Sequence, residues 1–363
     1  MRRISIVGLG LIGGSLGLAL RCRTEDVYVV GFDTSPETCS DALNLGAVDQ
    51  IASSIEEAFS GSELVFLATP IRGIIDYLHD AARFCKPGCI VTDMGSTKTL
   101  IMQKAAEILP GEVVFIGGHP MAGKERSGIF AASPHLFENA AYVLTPPDSG
   151  HGTELSTLRS VIEIIGAFPV LLSPDEHDLI VAAVSHLPHI CAVALANTVG
   201  NLAPQYPDLL ALAAGGFRDT TRVASGDPRL WCQILETNRG HINSMIEEFK
   251  GVLSDLQRAL QTDSAALYQG LCSAKGLRDE LPKHSRRLTN YYELSAQVAD
   301  EPGTIGQIAG VLAQAGVNIS DIEIMRAREG EAGVLRLGFN DEKQVDQALK
   351  VLRTNGYVVK RRS

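Results

Sequence analysis

The sequence predicts three domains: an α/β domain over residues 1–172, an all-α domain over residues 173–285 and a small α+β domain over residues 290–363. Three observations predict this arrangement. Short apolar runs alternate with helical patterns up to about residue 172, and the pattern then becomes helical almost throughout. The last segment returns to strand, helix, strand, strand, helix and strand. At 363 residues the chain is long enough for two or three domains.

The first domain is predicted to contain a mostly parallel sheet covered by helices, because strand and helix patterns alternate along it. Its apolar, strand-like runs lie at residues 4–7, 27–32, 64–68, 89–92, 113–117, 142–145 and 169–172. Parallel strands all end at the same edge of their sheet. Residues that directly follow these runs are therefore candidates for a binding site.

A glycine-rich turn follows the first strand and opens the first helix. In a Rossmann-type dinucleotide-binding domain, Gly8 permits the tight turn, Gly10 lets the backbone approach a pyrophosphate, and Gly13 allows close helix packing. Leu11 and Ile12 begin the helix whose N-terminus faces the phosphates. The strand and helix context makes this motif a specific prediction of dinucleotide binding.

Asp33 ends the second strand and favours NAD over NADP as the cofactor. Its carboxylate can accept hydrogen bonds from both ribose hydroxyls of NAD and would repel a 2′-phosphate. Residues 34–50 contain no lysine or arginine that could bind such a phosphate. The sequence therefore predicts NAD.

Ser96 and His119 are predicted to meet at the carboxyl edge of the sheet. Ser96 follows the strand that ends near Asp93, and His119 follows the strand at 113–117. Oxidation of an alcohol needs a group that takes the hydroxyl proton while hydride leaves carbon, and imidazole titrates in the right range. A serine and a histidine beside a nicotinamide site predict a catalytic pair.

The second domain begins with a clear helix start, since Ser173 and Glu176 have the spacing of a capping box. Further along, His186 and His189 lie three residues apart and project from one helix face. Pro188 between them is expected to weaken or kink the helix. Two histidines are costly in an apolar helix unless they line a polar cavity. This spacing predicts a substrate pocket.

Arg222 is placed in a loop after the Gly215-Gly216 pair, together with Asp219. A guanidinium in such a turn can bind a carboxylate through two parallel hydrogen bonds. The helical stretches at 179–196 and 209–214 are more apolar than one small domain can bury. A homodimer through this region is therefore expected.

Composition narrows the class of protein. A net charge of -10 opposes binding to nucleic acid or to an anionic membrane surface. The seven cysteines form no CxxC pair and the N-terminus shows no leader, which favours reduced thiols in a cytoplasmic protein. Histidines and cysteines are not at zinc-ligand spacings, so no metal is predicted. Ser185, His186, Pro188 and His189 interrupt the most apolar stretch, which argues against a membrane span.

The third domain shows a ferredoxin-like βαββαβ pattern. Strands are predicted at residues 291–298, 317–325, 334–339 and 357–360, and helices at residues 304–314 and 342–353.

From residue 1 to about residue 270, the chain resembles the prephenate dehydrogenases, oxidoreductases of tyrosine biosynthesis. The matching runs are residues 8–13, 93–98, 118–123, 185–189 and 215–222. The C-terminal part resembles an ACT domain, a module that commonly senses amino acids. The turn at 300–303 and the run at 316–319 carry that second likeness.

The resemblance implies oxidative decarboxylation of prephenate to 4-hydroxyphenylpyruvate, with NAD accepting the hydride. By analogy, His119 deprotonates the C4 hydroxyl and Ser96 hydrogen-bonds to His119 and to the reacting centre. The same analogy makes His189 and Arg222 ligands of the two substrate carboxylates, supported by His186 and Asp219. Lys124 and Glu125 are candidates for the mouth of the pocket.

The ACT-like domain implies feedback inhibition by L-tyrosine. The expected pocket lies where the turn from Asp300 to Gly303 meets the strand that begins near Asn318.

Other functions are open at this stage. Arogenate differs from prephenate only in an amino group, so an arogenate or dual-specificity cyclohexadienyl dehydrogenase is an alternative. Dehydrogenases of the 6-phosphogluconate or 3-hydroxyisobutyrate type use a lysine in the first long helix after the sheet, but residues 175–200 contain none. A non-enzymatic sensor of NAD and an amino acid would need an output device such as a basic DNA-reading face.

Overall fold

The computed structural model describes residues 2–124, 126–147, 152–280, 292–298, 301–325, 333–339 and 341–362. The chain divides into two compact units, Met1–Asp279 and Glu280–Ser363, and each is described by itself.

The first unit contains an eight-stranded sheet with the strand order β3-β2-β1-β4-β5-β6-β7-β8. Its strands are β1 (Arg2–Val7), β2 (Val27–Phe32), β3 (Gln50–Ile51), β4 (Leu64–Leu67), β5 (Ile90–Asp93), β6 (Val114–Pro120), β7 (Ala141–Thr145) and β8 (Phe168–Leu171). All neighbouring strands are parallel except β6 and β7. The predicted sheet is confirmed, and only the two-residue strand β3 was not expected.

Helices cover both faces of this sheet. Between its strands lie α1 (Leu11–Arg23), α2 (Pro36–Asn44), α3 (Ile55–Phe59), α4 (Ile71–Phe84), α5 (Thr99–Ile108) and α6 (Gly152–Ile164). Successive residues of β1 point to opposite faces, so Ile4 and Ile6 join one hydrophobic core while Val7 joins the other. Burial on both faces explains why the central strands are mostly apolar on both sides.

The rest of the first unit is helical. It contains α7 (Pro174–Val181), α8 (Leu187–Leu202), α9 (Gly215–Thr221), α10 (Pro228–Thr237), α11 (Arg239–Thr262) and α12 (Ser264–Glu280). The capping box predicted at the start of α7 is present between Ser173 and Glu176. Residues 209–214 form turns and not the expected helix. Pro207 and the Gly215-Gly216 pair bound this short run, so too few residues remain for helix propagation.

A π-helical turn, Ala182–His186, joins α7 to α8. Pro188 has no amide hydrogen to donate, and this wider turn lies directly before it. The helical stretch Pro174–Leu202 contains an 18-residue apolar window with a mean hydropathy of 2.0. By length and composition only, this stretch could cross a membrane. Of that apolar window, 28% is buried within the chain. Several large apolar side chains in this region are exposed: Leu179, Ile180, Val184, Leu202, Phe249, Val252, Leu253 and Leu260.

The second unit is a four-stranded antiparallel sheet with two helices. Its elements are β9 (Tyr292–Val298), α13 (Thr304–Gln314), β10 (Asp321–Met325), β11 (Gly333–Phe339), α14 (Glu342–Thr354) and β12 (Val358–Arg362). The strand order β10-β11-β9-β12 confirms the ferredoxin-like prediction.

Two of the predicted regulatory residues can be placed in the second unit. Gly303 precedes α13 with φ +94°, a left-handed conformation that glycine adopts without strain. Asn318 is exposed and lies before β10, which begins at Asp321, so the prediction of a strand from residue 317 was wrong by four residues. Gly316, at φ +71°, starts a turn between α13 and β10 that accounts for this delay. Asp300 lies outside the described residues.

Candidate active site

The glycine-rich turn between β1 and α1 is shaped by steric limits. Gly8 has φ +93°, and a Cβ atom there would lie 2.6 Å from the carbonyl oxygen of Ala68. A Cβ on Gly13 would overlap the carbonyl oxygen of Gly8. Beside Gly10 there is open space, so a ligand can approach the backbone. The three glycines therefore have the separate roles that a dinucleotide turn requires.

Asp33 holds the glycine-rich turn in place. Its Oδ2 accepts a hydrogen bond of 2.8 Å from the amide of Leu9, and its Oδ1 accepts one of 2.9 Å from the amide of Ser35. The half-buried carboxylate thus connects the end of β2 to the turn after β1. This second role was not predicted from the sequence.

A cavity of about 370 Å³ lies in front of this turn. Its lining includes Gly10, Leu11 and Ile12 from the turn, Ser96 after β5, and Trp231 from α10. Lys124 also lines it, as predicted for the mouth of the pocket. The open glycine backbone, the helix N-terminus and the nearby carboxylate of Asp33 fit NAD in both shape and chemistry. Glu125 lies outside the described residues.

A buried ion pair connects the ends of β5 and β6. The ammonium of Lys98 contacts Asp93, and both side chains are fully buried. Lys98 Nζ also donates to the carbonyl of Gly118 at 2.7 Å, and the amide of Gly118 donates to Asp93 Oδ1 at 3.0 Å. Burial lowers the pKa of Lys98, an effect that the charge of Asp93 opposes. This arrangement fixes the backbone directly before His119.

Gly117 and Gly118 are required by the same packing. A Cβ on Gly118 would lie 2.5 Å from the carbonyl oxygen of Asp93, and one on Gly117 would overlap the hydroxyl of Thr145. Two consecutive glycines therefore let β6 lie directly against β5 and β7. His119 is the second-last residue of β6 and pairs with Val143 of β7, so it lies at the carboxyl end of the strand, although that strand continues to Pro120 and does not end at residue 117 as predicted.

His119 forms a chain of hydrogen bonds with two residues of α7. Its Nδ1 lies 2.8 Å from Nε2 of His177, whose Nδ1 lies 2.8 Å from Oδ1 of Asp178. Asp178 also accepts from the amides of Lys98 at 2.7 Å and Thr99 at 2.9 Å. Among the described residues no hydrogen bond joins Ser96 to His119, whose Nδ1 is bonded to His177.

Electrostatics keep His119 neutral and Asp178 ionised. Burial, reinforced by His177, Lys98 and His186, holds the pKa of His119 well below its ordinary value. Burial alone would raise the pKa of Asp178, but hydrogen bonds from His177, Thr99 and Lys98 outweigh it and lower that pKa. A neutral imidazole can accept a proton.

His186 and His189 flank Trp231, although the two rings contact it differently. The ring of His189 stacks on the indole with centroids 3.5 Å apart, whereas His186 meets it edge-on at 6.1 Å. Nδ1 of His186 lies 3.2 Å from the side-chain amide of Asn238. Burial lowers the pKa of His186 to about 4 and also lowers that of His189. Nδ1 of His189 is buried and has no hydrogen-bond partner among the described residues.

Arg222 and Asp219 are both exposed. Asp219 belongs to α9, and Arg222 begins the 3₁₀ turn Arg222–Ser225, so the loop predicted for both is helical. α8, the helix that carries His189, packs against that 3₁₀ turn.

Four residues of this site were missed by the sequence analysis: Lys98, His177, Asp178 and Trp231. Lys98 could have been found, because a lysine two residues after Ser96 and five after Asp93 is unusual at a buried sheet edge. His177 and Asp178 resemble ordinary residues of a capped first turn. Their role depends on the contact between α7 and the start of α5, which no local pattern indicates.

Family comparisons agree with this geometry. Residues 16–171 match the nucleotide-binding domain of prephenate dehydrogenase, residues 173–271 match the dimerization domain of prephenate dehydrogenase, and residues 292–356 match the ACT domain. This chain belongs to the prephenate dehydrogenase family.

Relatives of known function match most of the chain. A prephenate dehydrogenase of Bacillus subtilis is 35% identical over 353 residues, which are 96% of this chain and 95% of the relative. A crystal structure of prephenate dehydrogenase from A. aeolicus, in complex with hydroxyphenyl propionate and NAD+, is 32% identical. It has a TM-score of 0.73 and covers 78% of this chain and 99% of its own. A Synechocystis arogenate dehydrogenase is 34% identical with a TM-score of 0.66, over 77% of this chain and 99% of its own.

These findings confirm the predicted fold class and the prediction of an NAD-dependent oxidoreductase of this family. The roles assigned to individual site residues remain predictions.

Proposed function

We propose that this protein oxidises prephenate at its ring carbinol, with loss of carbon dioxide to give 4-hydroxyphenylpyruvate. The observation that carries this proposal is the hydrogen-bond chain from His119, at the carboxyl end of β6, through His177 to Asp178, with burial holding the pKa of His119 well below its ordinary value. NAD supplies the acceptor for the hydride. The names of the relatives support prephenate or a close analogue as the substrate.

In this mechanism His119 takes the proton of the C4 hydroxyl at Nε2. The O–H electron pair then forms the carbonyl while the C–H pair leaves as hydride. Loss of carbon dioxide leaves its bonding pair in the ring, which becomes aromatic, and the C4 oxygen takes the proton back from His119. That second step needs little assistance, so catalysis rests on positioning and on proton removal. Ser96, which lines the cavity beside the glycine-rich turn, positions the reacting hydroxyl.

We assign substrate binding to His189 and Arg222, with His186 and Asp219 in support. The buried, unpartnered Nδ1 of His189 favours this assignment, because such an atom is costly without a ligand. Arg222→Gln should raise the KM for prephenate more than that for NAD, because glutamine cannot replace the charge of the guanidinium. An equal rise in both KM values would contradict a role in substrate binding.

The direct test is to mix the protein and NAD with prephenate or with arogenate and to follow NADH by its absorbance. We expect faster turnover of prephenate. Arogenate is the second candidate substrate, favoured by the similarity to the Synechocystis enzyme. Preference for arogenate would change the substrate, and absence of turnover with both would overturn the proposed activity.

We further propose that the protein works in the cytoplasm as a homodimer that L-tyrosine inhibits through the ACT domain. The exposed apolar side chains of α7, α8 and α11 favour dimerisation, and the ACT match favours an amino-acid ligand. Sedimentation measures the oligomeric state. A chain ending near Lys283 that stays active but loses tyrosine inhibition would support the regulatory role. Undiminished inhibition would place tyrosine in the active site instead.

A further inference from the structure

We propose that His177 and Asp178 are positioning residues that fix the proton of His119 on Nδ1, so that Nε2 is free to accept the substrate proton. This inference deepens the proposed function and rests on it for its catalytic meaning. It concerns two residues of α7 that line neither the glycine-rich turn nor the cavity in front of it.

The direction of each hydrogen bond follows from the chemistry of its partners. An ionised carboxylate only accepts, so the hydrogen between Asp178 and His177 must belong to Nδ1 of His177. With its hydrogen on Nδ1, the imidazole of His177 presents the lone pair of Nε2 to His119. The hydrogen between the two imidazoles must therefore belong to Nδ1 of His119. Only one tautomer of neutral His119 satisfies this chain, and in that tautomer Nε2 carries the lone pair.

Asp178 is held firmly enough to impose this order. Its two oxygens accept the amides of Lys98 and Thr99, which are the first backbone donors at the start of α5. It is 1% exposed and His177 is fully buried, so water does not compete for these groups. The carboxylate is thus anchored on the sheet domain, although it belongs to the helical part of the chain.

The chain also stabilises the product of proton transfer. When His119 accepts a proton at Nε2, its Nδ1 hydrogen still donates to His177, and the carboxylate of Asp178 lies at the far end. Lys98 and His186 also act on His119, but both disfavour a positive charge there, so neither stabilises the imidazolium. Asp93 is already paired with Lys98. Asp178 is therefore the available counter-charge for the imidazolium among the described residues around His119.

The decisive variant is Asp178→Asn. When its NH2 group takes the place of Oδ1, it donates to His177, which reverses both hydrogen bonds and leaves the proton of His119 on Nε2. When the NH2 group takes the place of Oδ2, the order of the chain is kept but its negative charge is lost. An orienting carboxylate in serine proteases acts in this way, and its amide variant loses most activity through the wrong tautomer. We expect kcat to fall by about 10²–10⁴-fold, with the KM for NAD little changed.

The tautomer itself is measured in the resting protein. Nitrogen NMR of the 15N-histidine-labelled full chain, assigned with His119→Asn, should show the proton on Nδ1 of His119 in the unaltered protein and a fraction of it on Nε2 in Asp178→Asn. This readout needs no substrate, so it decides the inference even if the proposed activity fails. A proton on Nε2 of His119 in the unaltered protein would overturn it.

Two variants of His177 separate positioning from folding if Asp178→Asn does not fold. His177→Leu removes the acceptor and should lower kcat by about 10²-fold, whereas His177→Gln supplies an amide oxygen and should restore part of that loss. Thr237→Val is the matched control, because it breaks a 3.0 Å hydrogen bond to Thr97 between the same parts of the chain. Equal kcat values in His177→Leu and Thr237→Val would contradict the positioning role.

Discussion

The two ends of the active site are built in different ways. The cofactor end is local: Gly8, Gly10 and Gly13 lie within one turn, and each has its own steric reason. The proton-transfer end is assembled from distant segments, since His119 meets His177 across 58 residues. A short stretch of sequence therefore determines where the cofactor binds, whereas the base depends on how α7 packs on the sheet.

Lys98 links two parts of the proton-transfer end, the backbone before His119 and the carboxylate of Asp178. Its ammonium donates to the carbonyl of Gly118, the residue before His119, and its amide donates to Asp178. The backbone that carries the base and the carboxylate that orients it are thus held by one residue. We expect changes at this end to have larger effects than changes at the cofactor end, and the predictions below test that order.

The largest effect is expected for His119→Asn. Asparagine keeps some hydrogen bonding but cannot take a proton, so kcat should fall by about 10²–10⁴-fold while NAD affinity changes little. Steady-state kinetics measure kcat, and titration with NAD measures affinity. His135→Asn is a control at an exposed histidine of the same unit. Near-normal turnover in His119→Asn would remove this residue from the mechanism.

Lys98→Met should destabilise the first unit by about 3–5 kcal/mol, because it leaves Asp93 charged and unpaired in the interior. Trp231 is the one tryptophan of the sequence, so its fluorescence during urea unfolding reports on this unit alone. The matched control is Lys104→Met, which removes an exposed pair with Glu107 and should cost about 1 kcal/mol or less. Similar losses in the two variants would show that the buried pair has no special role.

The same contrast explains what the sequence could predict. Strand alternation, the glycine-rich turn, Asp33 and the position of His119 at a strand end all follow from local patterns, and the structure contains them. His177, the partner of His119 Nδ1, was not predicted, because only the packing of α7 on α5 brings it into reach. The role of Ser96 remains a prediction. The run at 209–214 was predicted as helix from its apolar composition, although Pro207 and the glycine pair leave it too short.

Acid should destabilise the first unit through His186. Its pKa in the folded chain is about 4, below the ordinary value of 6.5, so the unfolded chain binds the proton more tightly. The contribution to stability is complete above about pH 6.5 and is lost as the pH falls towards 4, to a total of about 3 kcal/mol. Protonation would also place a donor on Nδ1 against the amide of Asn238. Urea unfolding followed by Trp231 fluorescence at pH 7 and pH 4.5 measures the loss.

His186→Gln should reduce that pH dependence, because glutamine does not titrate. His241→Gln provides the control, since His241 is a partly exposed histidine of the same unit paired with Asp175. An unchanged difference between pH 7 and pH 4.5 in His186→Gln would assign the acid sensitivity to another group.

The smallest effects are expected at the cofactor end, where two variants of Asp33 separate two roles. Asp33→Asn removes the charge that repels a 2′-phosphate but keeps an oxygen for the amide of Leu9. Asp33→Ser removes both. We expect both variants to gain affinity for NADPH relative to NADH by about tenfold, which corresponds to about 1.4 kcal/mol. Quenching of Trp231 fluorescence by each reduced cofactor measures the two affinities, because this residue lines the cavity beside the turn.

The absolute affinity for NADH distinguishes the second role of Asp33. If the carboxylate also holds the glycine-rich turn, Asp33→Ser should bind NADH more weakly than Asp33→Asn, because the amide of Leu9 then loses its acceptor. Asp49→Ser is the matched control: Asp49 accepts the amide of Val29 at 2.8 Å but does not contact the turn. Equal NADH affinities in the two Asp33 variants would mean that the turn keeps its shape by sterics alone. The cofactor end would then be even more local than the hydrogen bond to Leu9 suggests.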